Sequence, residues 1–327
     1  MVVFSMMIET PTDYGIYPSV DYTVDESCTE LPTIRQSGTY FLDGKIQPGT
    51  SPEGLTPSFN VGSYYANKVT YHMKGDLVNF NLIKEALKGR EGQVAIDFGA
   101  NQGFYTYYLA ALGMQVHSFE INENNFKSLQ HGAEFNPKDI ADRVHLYPVG
   151  IGAKNGRFGM ENQMYEGFFT ENAGPILGAT FDCFAHHMKS RLDLSKGVAF
   201  VKLDVEGFEI AVLQGAKHSL FREGSSIGAM LMEVGPNRWQ RAKVDITTGV
   251  ENMKELASHF KNSYLLVRGP GTAYAKTCPL KLGQDLNDKT PKDLGQEQLY
   301  KVGMAEWKAL LTKMKEENYD CNFFYQN

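Results

Sequence analysis

Two stretches of this 327-residue chain combine residue types and spacing that could do chemistry. The first is DFGANQGFYT, Asp97 to Thr106, an acid and two glycines set between the apolar run VAI and a run reading YYLAALG. The second is KLDVEGFE, Lys202 to Glu209, which brings Asp204, Glu206 and Glu209 close together, with Glu233 following in LMEV. Glycines let a backbone turn sharply and approach a ligand with no Cβ in the way. Crowded carboxylates raise one another's pKa, which suits one of them to take a proton near neutral pH. The chemistry suggested is a bound nucleotide-like ligand beside an acid that can act as a base.

The spacing of the glycine turn narrows the ligand. A dinucleotide fingerprint needs GxGxxG, so that the backbone can approach a pyrophosphate. Here Asn101 stands where the second glycine is needed, between Gly99 and Gly103, and no GxxxxGK[ST] occurs anywhere. Glu120 ends HSFE, 21 positions after Gly99. A carboxylate there can accept hydrogen bonds from both hydroxyls of a ribose. A ribose clamp without a phosphate cradle fits a nucleoside that carries no phosphates, and S-adenosylmethionine is the common cofactor of that kind. A nicotinamide oxidoreductase is the poorer reading, because Asn101 interrupts its phosphate turn.

These residues need elements to hold them. Asp76 is placed to cap a helix over LVNFNLIKEALKG, VAIDF reads as a buried strand, and FYTYYLAALG reads as a helix ended by Gly113. MQVHSFE, RVHLYPVGI, VAFVKLDV, IGAMLMEV and YLLVRG read as further strands. NENNFKSLQHGAEF, FDCFAHHMKS, EIAVLQGAKHSLF and ENMKELASHFKN read as helices between them. EQLYKVGMAEWKALLTKMKEEN reads as helical, and CNFFYQ as a last strand. Alternating strands and helices predict a doubly wound, mainly parallel α/β sheet, its last strand antiparallel. Residues 1 to 75 read as an irregular lead segment wrapping the core, with short β-type pieces at Thr39–Leu42 and Lys68–His72 and a possible hairpin. The catalytic domain is expected over 76–327, with an insert at about 152–180 and another at about 268–318.

The glycine turn resembles the D-x-G-A-N-x-G-x-x-T signature of FkbM-type S-adenosylmethionine-dependent methyltransferases. FVKLDVEGFEIAVLQGA, residues 200 to 216, is similar to that family's K-x-D-x-E-G-x-E-x-x-V-L-x-G-A block, and LMEVGP, residues 231 to 236, to the acidic strand end that follows. The likeness covers roughly 90 to 236. It implies a class I methyltransferase fold, a Rossmann-like sheet of seven strands, and methyl transfer to oxygen, commonly a hydroxyl of a sugar or other metabolite. In such enzymes the glycine turn lies under the methionine part of the cofactor and the acid ending the second strand holds the ribose. The resemblance carries these roles to Asp97, Gly99, Ala100, Asn101, Gly103 and Glu120. Asp97 is then a partner for the cofactor's ammonium group, Thr106 and Tyr105 for its carboxylate end, and Val149 and Gly150 for the adenine edge.

Methyl transfer from a sulfonium is an in-line displacement, helped by holding donor and acceptor in near-attack geometry. A hydroxyl acceptor has a high pKa, so a base or a metal must help remove its proton. Asp204 and Glu233 end strands on the ligand side and are the favoured catalytic acids, Asp204 also bordering the cofactor. Glu206 is a further candidate, and Glu209 is as well placed to cap the following helix. Lys202 suits an ion pair with one of these acids. A divalent metal on Asp204, Glu206 and Glu233 is the alternative device. His72, in the lead segment, is the first histidine to test as a base. His117 reads as packed, and His186 and His187 face different directions on a helix. Tyr64, Tyr65, Tyr71 and Trp239 could stack on a sugar ring or simply pack the core. Acceptor contacts are expected first from the 152–180 insert.

Composition sets the outer bounds. A net charge of −6 with no Lys/Arg cluster argues against nucleic acid as a partner. No apolar run approaches a membrane span, and MVVFSMMIE lacks a basic region for a signal peptide. Cys28, Cys183, Cys278 and Cys321 show no CxxC pair and read as four unrelated thiols. A cytoplasmic location is expected, the alternative being a lumenal enzyme that has lost an anchor. The partner is a small-molecule or glycan acceptor bearing a hydroxyl. An amine acceptor, or a cofactor-binding protein without turnover, are the competing functions.

Overall fold

The computed structural model describes residues 46–161, 168–170, 174–189, 191–221, 226–269, 277–295 and 297–327. The β-type piece expected at Thr39–Leu42, and Cys28, lie outside these. The lead segment enters as an antiparallel hairpin, β1 (Gln47–Thr50) and β2 (Asn60–Ser63), followed by α1 (Ala66–Lys74). Lys68–His72, expected as β-type, is thus inside a helix. Val69 and Met73 recur four residues apart there and are both buried, a helical period that outweighs the β-branched residues.

The core then alternates strand and helix. It runs α2 (Leu77–Leu87), β3 (Val94–Phe98), α3 (Phe104–Ala111), β4 (Gln115–Phe119), α4 (Glu123–Phe135), α5 (Lys138–Ala141) and β5 (Val144–Tyr147). The insert contributes a small separate sheet of β6 (Gly150–Ile151), β7 (Gly156–Glu161), β8 (Phe168–Thr170) and β9 (Ile176–Ala179), in the order β6-β9-β7-β8. The core resumes with α6 (Phe181–His187), β10 (Val198–Leu203), α7 (Glu209–Gly215), β11 (Ile227–Val234), α8 (Ile246–Ser258) and β12 (Asn262–Arg268). It closes with α9 (Leu280–Gln284), β13 (Lys292–Asp293), β14 (Glu297–Lys301), α10 (Trp307–Glu317) and β15 (Cys321–Gln326).

The main sheet has the order β13-β14-β12-β15-β11-β10-β3-β4-β5. β5, β4, β3, β10 and β11 pair in parallel, and β15 inserts antiparallel between β11 and β12. That is the seven-strand class I arrangement, extended at one edge by β14 and β13. Parallel strands covered on both faces bury both sets of side chains, and this is why VAFVKL and IGAMLM are nearly continuous apolar runs. On β11, Met230, Met232 and Val234 enter one core layer, while Ala229 and Leu231 enter the other.

Two expectations change here. EQLYK is not helical: as β14 it pairs antiparallel with β12, and the helix begins only at Trp307. The four cysteines are not unrelated, because Cys278 and Cys321, both buried, form a disulfide across 43 positions. No CxxC signal marks such a pair; the return of β15 beside the segment that follows β12 brings them together. Cys183 is a buried free thiol.

Candidate active site

The glycine turn is fixed by the sheet beneath it. Gly99 has φ +79°, and a Cβ there would lie 1.8 Å from the carbonyl oxygen of Asp204. The turn after β3 therefore sits directly on the turn after β10, an approach only glycine allows. Asn101 is also left-handed, at φ 50°. Its N–H donates to Glu120 Oε2 at 2.7 Å, and the Asn122 N–H donates to Glu120 Oε1 at 2.7 Å. Each oxygen keeps a further lone pair, so the carboxylate can still accept two ribose hydroxyls. Burial pushes the Glu120 carboxyl up to about 7, against the lowering effect of those backbone hydrogen bonds.

Asp97 is fully buried and lies in register with Lys202 on one side and Ser118 on the other. Its Oδ2 accepts from Thr106 Oγ1 at 2.7 Å, and Thr106 also meets Ser118 Oγ at 2.9 Å. Thr106 is thus an anchor for Asp97, placed below the turn. Asp97 Oδ1 has no hydrogen-bond partner among the described residues, although Lys202 Nζ is 3.7 Å away. A buried carboxylate oxygen left unpaired is costly, and a cationic ligand such as an α-ammonium group would satisfy it. Together with the turn and Glu120, this fits S-adenosylmethionine. Val149 is buried and Gly150 opens β6, beyond the end of β5.

A small polar cavity opens at the carboxyl ends of β10 and β11. Asp76, Asp204 and Glu233 line it, with Tyr105, Lys202 and Asn322 among the other walls. Sequence reading anticipated Asp204 and Glu233 but took Asp76 for a helix cap. Asp76 does precede α2, yet its side chain makes no capping bond. Its carboxylate instead meets Arg268 Nη2 at 3.4 Å and accepts from Asn79 Nδ2 at 3.2 Å. Asp139 and Asp245, by contrast, lie in ordinary helix-start positions, so composition alone offers no way to single out Asp76.

Each acid has a cation behind it. Lys202 Nζ lies 3.3 Å from Asp204 Oδ2 and donates to the Gly99 carbonyl at 2.7 Å. Burial would lower the Lys202 pKa, but Asp204 and then Asp97 hold it above the usual lysine range. Arg238, missed in the sequence, bonds Glu206, reaches Glu233 Oε1 at 2.5 Å and Asp320 Oδ1 at 3.1 Å. Burial, and then the Asp204 charge, hold the Glu233 carboxyl well above the usual range, with Arg238 opposing them.

The remaining candidates fall elsewhere. Glu206 is left-handed, at φ 57°, and held by Arg238 and Arg241, so its carboxylate faces two guanidinium groups. Among the described residues, no group of three His, Cys, Asp or Glu is arranged to hold a metal ion. The set Asp204, Glu206 and Glu233 fits a metal poorly because Arg238 stands between the two glutamates. Glu209 serves the turn, its Oε1 accepting from the Gly207 N–H at 2.8 Å. His72 is exposed on α1 and is not a cavity wall. His117 is packed, stacked on His145 and hydrogen-bonded to Tyr147. Trp239 is not a platform: it is fully buried against Gly249, in the core. Tyr71 and Tyr65 are exposed on and before α1. None of the cavity walls comes from the described part of the 152–180 insert.

A model of the methyltransferase FkbM domain matches residues 97–261. None of the curated proteins matches the chain. Among solved structures, a precorrin-6Y C5,15-methyltransferase from Geobacter metallireducens is similar at 11% identity, over 76% of this chain and 87% of that one, with a TM-score of 0.35. An O-methyltransferase from Bacillus cereus in complex with SAH is similar at 12% identity, over 60% of this chain and 76% of that one, with a TM-score of 0.37. An S-adenosylmethionine-dependent methyltransferase from Agrobacterium tumefaciens matches at 9% identity, over 77% and 62%, with a TM-score of 0.38.

Proposed function

Since the chain belongs to the FkbM methyltransferase family, and is on that ground an S-adenosylmethionine-dependent methyltransferase, we propose that its acceptor is a hydroxyl of a sugar or another small polyhydroxylated molecule. The observation that carries this reading is the cavity walled by Asp76, Asp204 and Glu233, beside the turn that would seat the cofactor. Carboxylates accept hydrogen bonds from hydroxyls, and a pair of oxygens on one acid can accept from two neighbouring hydroxyls.

The cofactor supplies an electrophilic methyl group on a positively charged sulfur. The chain's part is to hold the acceptor oxygen in line with it and to take the acceptor's proton. Glu233 suits the second task because its raised pKa lies close to that of a base working near neutral pH. Asp204, backed by Lys202, would orient the acceptor. S-adenosylmethionine, held by Asp97, the Gly99–Gly103 turn and Glu120, would give up the methyl group to the acceptor oxygen and keep the electron pair of the broken C–S bond on its sulfur. The acceptor's proton passes to Glu233 and from there to water.

Acid-lined walls also suit a protonated amine, which makes N-methyl transfer the second reading. Both are separated by one experiment. Titration calorimetry with S-adenosylhomocysteine should show one site, and donor consumption should then be followed on glycans, small polyols and amines of similar size. Turnover on hydroxyls supports the proposal; turnover confined to amines removes it, and binding with no turnover on any acceptor supports a cofactor-binding protein instead. No described helix is long and apolar enough to cross a membrane. The Cys278–Cys321 bridge favours an oxidising compartment over the cytoplasm expected from the sequence.

A further inference from the structure

Among the described residues that wall the cavity, Tyr105 is the one that carries a hydroxyl. It lies on α3, its ring 5.0 Å from that of Phe80 between centres, with Lys202 Nζ 5.4 Å from its own centre. Asn79, buried on α2, donates from Nδ2 to Asp76 Oδ1 at 3.2 Å and to the Tyr105 hydroxyl oxygen at 3.0 Å. Turned over, the Asn79 amide would set its carbonyl against the Asp76 carboxylate, acceptor against acceptor. One amide nitrogen therefore joins two cavity walls, and it occupies a lone pair of the Tyr105 oxygen rather than its proton. No described residue accepts that proton. Asp76 is left with a matching atom: Arg268 and Asn79 both meet Oδ1, so Oδ2 is unspent. An O–H donor and a carboxylate acceptor thus stand beside each other, each lacking a partner.

We infer that Tyr105 and Asp76 together read a second hydroxyl of the acceptor, next to the one that is methylated, so that the substrate class is a vicinal diol. The inference rests on the hydroxyl-acceptor reading above and deepens it. A hydroxyl gives one hydrogen bond and accepts others at the same oxygen. It can donate to Asp76 Oδ2 while accepting from Tyr105. An ammonium group has no lone pair for Tyr105, and a carbonyl has no proton for Asp76, so the pair selects a hydroxyl against both. Burial, and then the Asp76 charge, hold the Tyr105 phenol well above its usual range, which keeps it a donor. Asp204 and Glu233 remain for the hydroxyl that reacts. The cavity is small, so two hydroxyls held in it at once sit on neighbouring carbons. A ligand without the second hydroxyl leaves a donor unpaired and binds more weakly. Tyr105, offered by the family likeness to the cofactor's carboxylate end, serves the acceptor instead.

The test follows donor consumption by the full chain on cis-cyclohexane-1,2-diol and on cyclohexanol, at equal concentrations below saturation. Wild type should use the diol about tenfold faster or more. Y105F keeps the ring and removes only the hydroxyl. Once shown by thermal melting to be folded, it should bring the diol down to about the cyclohexanol rate and leave cyclohexanol within about twofold. Its affinity for S-adenosylhomocysteine, by titration calorimetry, should also stay within about twofold. Equal wild-type rates on the two alcohols, a comparison that needs no variant, would overturn the inference and leave the hydroxyl-acceptor reading intact. So would a folded Y105F that keeps the full preference for the diol. A Y105F loss of S-adenosylhomocysteine affinity by about tenfold would overturn it too, returning Tyr105 to the cofactor. No wild-type turnover on either alcohol, with S-adenosylhomocysteine still bound, would remove the hydroxyl-acceptor reading and this inference with it.

Discussion

Lys202 Nζ lies 3.3 Å from Asp204 Oδ2, and the same ammonium group reaches the buried Asp97 and the Gly99 carbonyl. One cation thus fixes the strand end that faces the cavity and the glycine turn proposed to seat the cofactor. Replacing it by a neutral chain leaves Asp97 without a countercharge in a fully buried position. K202M should therefore destabilise the fold by about 3 kcal/mol or more, as seen when one partner of a buried pair is removed. D204N, at a half-buried site, should leave stability within about 1 kcal/mol and S-adenosylhomocysteine binding nearly unchanged, but reduce turnover. Chemical denaturation with calorimetry checks both, and equal stability of the two variants would show that Lys202 acts only on Asp204.

Glu120 makes cofactor binding depend on pH. Its carboxyl is pushed up to about 7 in the free protein, whereas accepting two ribose hydroxyls favours the ionised form. Below pH 7 a proton must leave on binding, so affinity should fall as pH falls, by up to about tenfold per unit. E120Q should bind weakly at every pH, with a flat profile. The stability sign is opposite. The folded carboxyl holds a proton that the unfolded one, near 4.5, has lost, so Glu120's contribution to stability declines as pH rises from 4.5 to 7. The free E120Q protein should accordingly gain on wild type above pH 7. A pH-independent wild-type affinity would show that the diol does not engage this acid.

The disulfide staples one wall of the cavity, because Cys321 precedes the cavity residue Asn322 in β15. Closing a loop of 43 positions is worth about 4 kcal/mol in the chain-entropy account. Reduction, or the C278A/C321A double variant, should lower the melting temperature by several degrees without removing S-adenosylhomocysteine binding, which is proposed at the ends of β3 and β4. Thiol titration of the unfolded, unreduced chain gives the check: free thiols at both positions would discard the bridge.

The legible parts of this fold are those whose signal is local. VAIDF, the glycine turn and the helix after it declare themselves in ten residues, and Glu120 declares itself by its distance from Gly99. The illegible parts depend on partners far along the chain. EQLYK becomes a strand because β12 offers it an edge, while its own alternation is too short to decide. Asp76 reads as a cap until Arg268, almost 200 positions away, draws it toward the cavity. The insert's length suggested acceptor contacts; in its described part Phe158 and Ile176 pack against Phe208 and Ala211, and no cavity wall comes from it. Trp239 read as either a stacking platform or a core residue, and its burial against Gly249, a partner the sequence does not announce, decides for the core.

Arg238 offers a test of how the cavity acids are held. Glu206 follows β10, Glu233 ends β11 and Asp320 precedes β15, so one guanidinium ties three strand ends. It also opposes the burial and the Asp204 charge that push the Glu233 carboxyl up. In R238Q that opposition is gone, and Glu233 should rise further and hold its proton to higher pH. The folded state then binds more protons than the unfolded state over a wider range, so its stability falls more steeply as pH rises. Beyond the loss of the Glu206 and Asp320 pairs, the gap between wild type and R238Q should widen from pH 5.5 toward pH 8.5, by about 1–3 kcal/mol given that these acids are partly exposed. Urea denaturation at the two pH values measures this with no acceptor in hand. A gap that stays constant would mean Arg238 acts through Glu206, Asp320 and packing and not through Glu233, whereas a widening one identifies it as the residue that keeps Glu233 able to give up and take a proton near neutral pH.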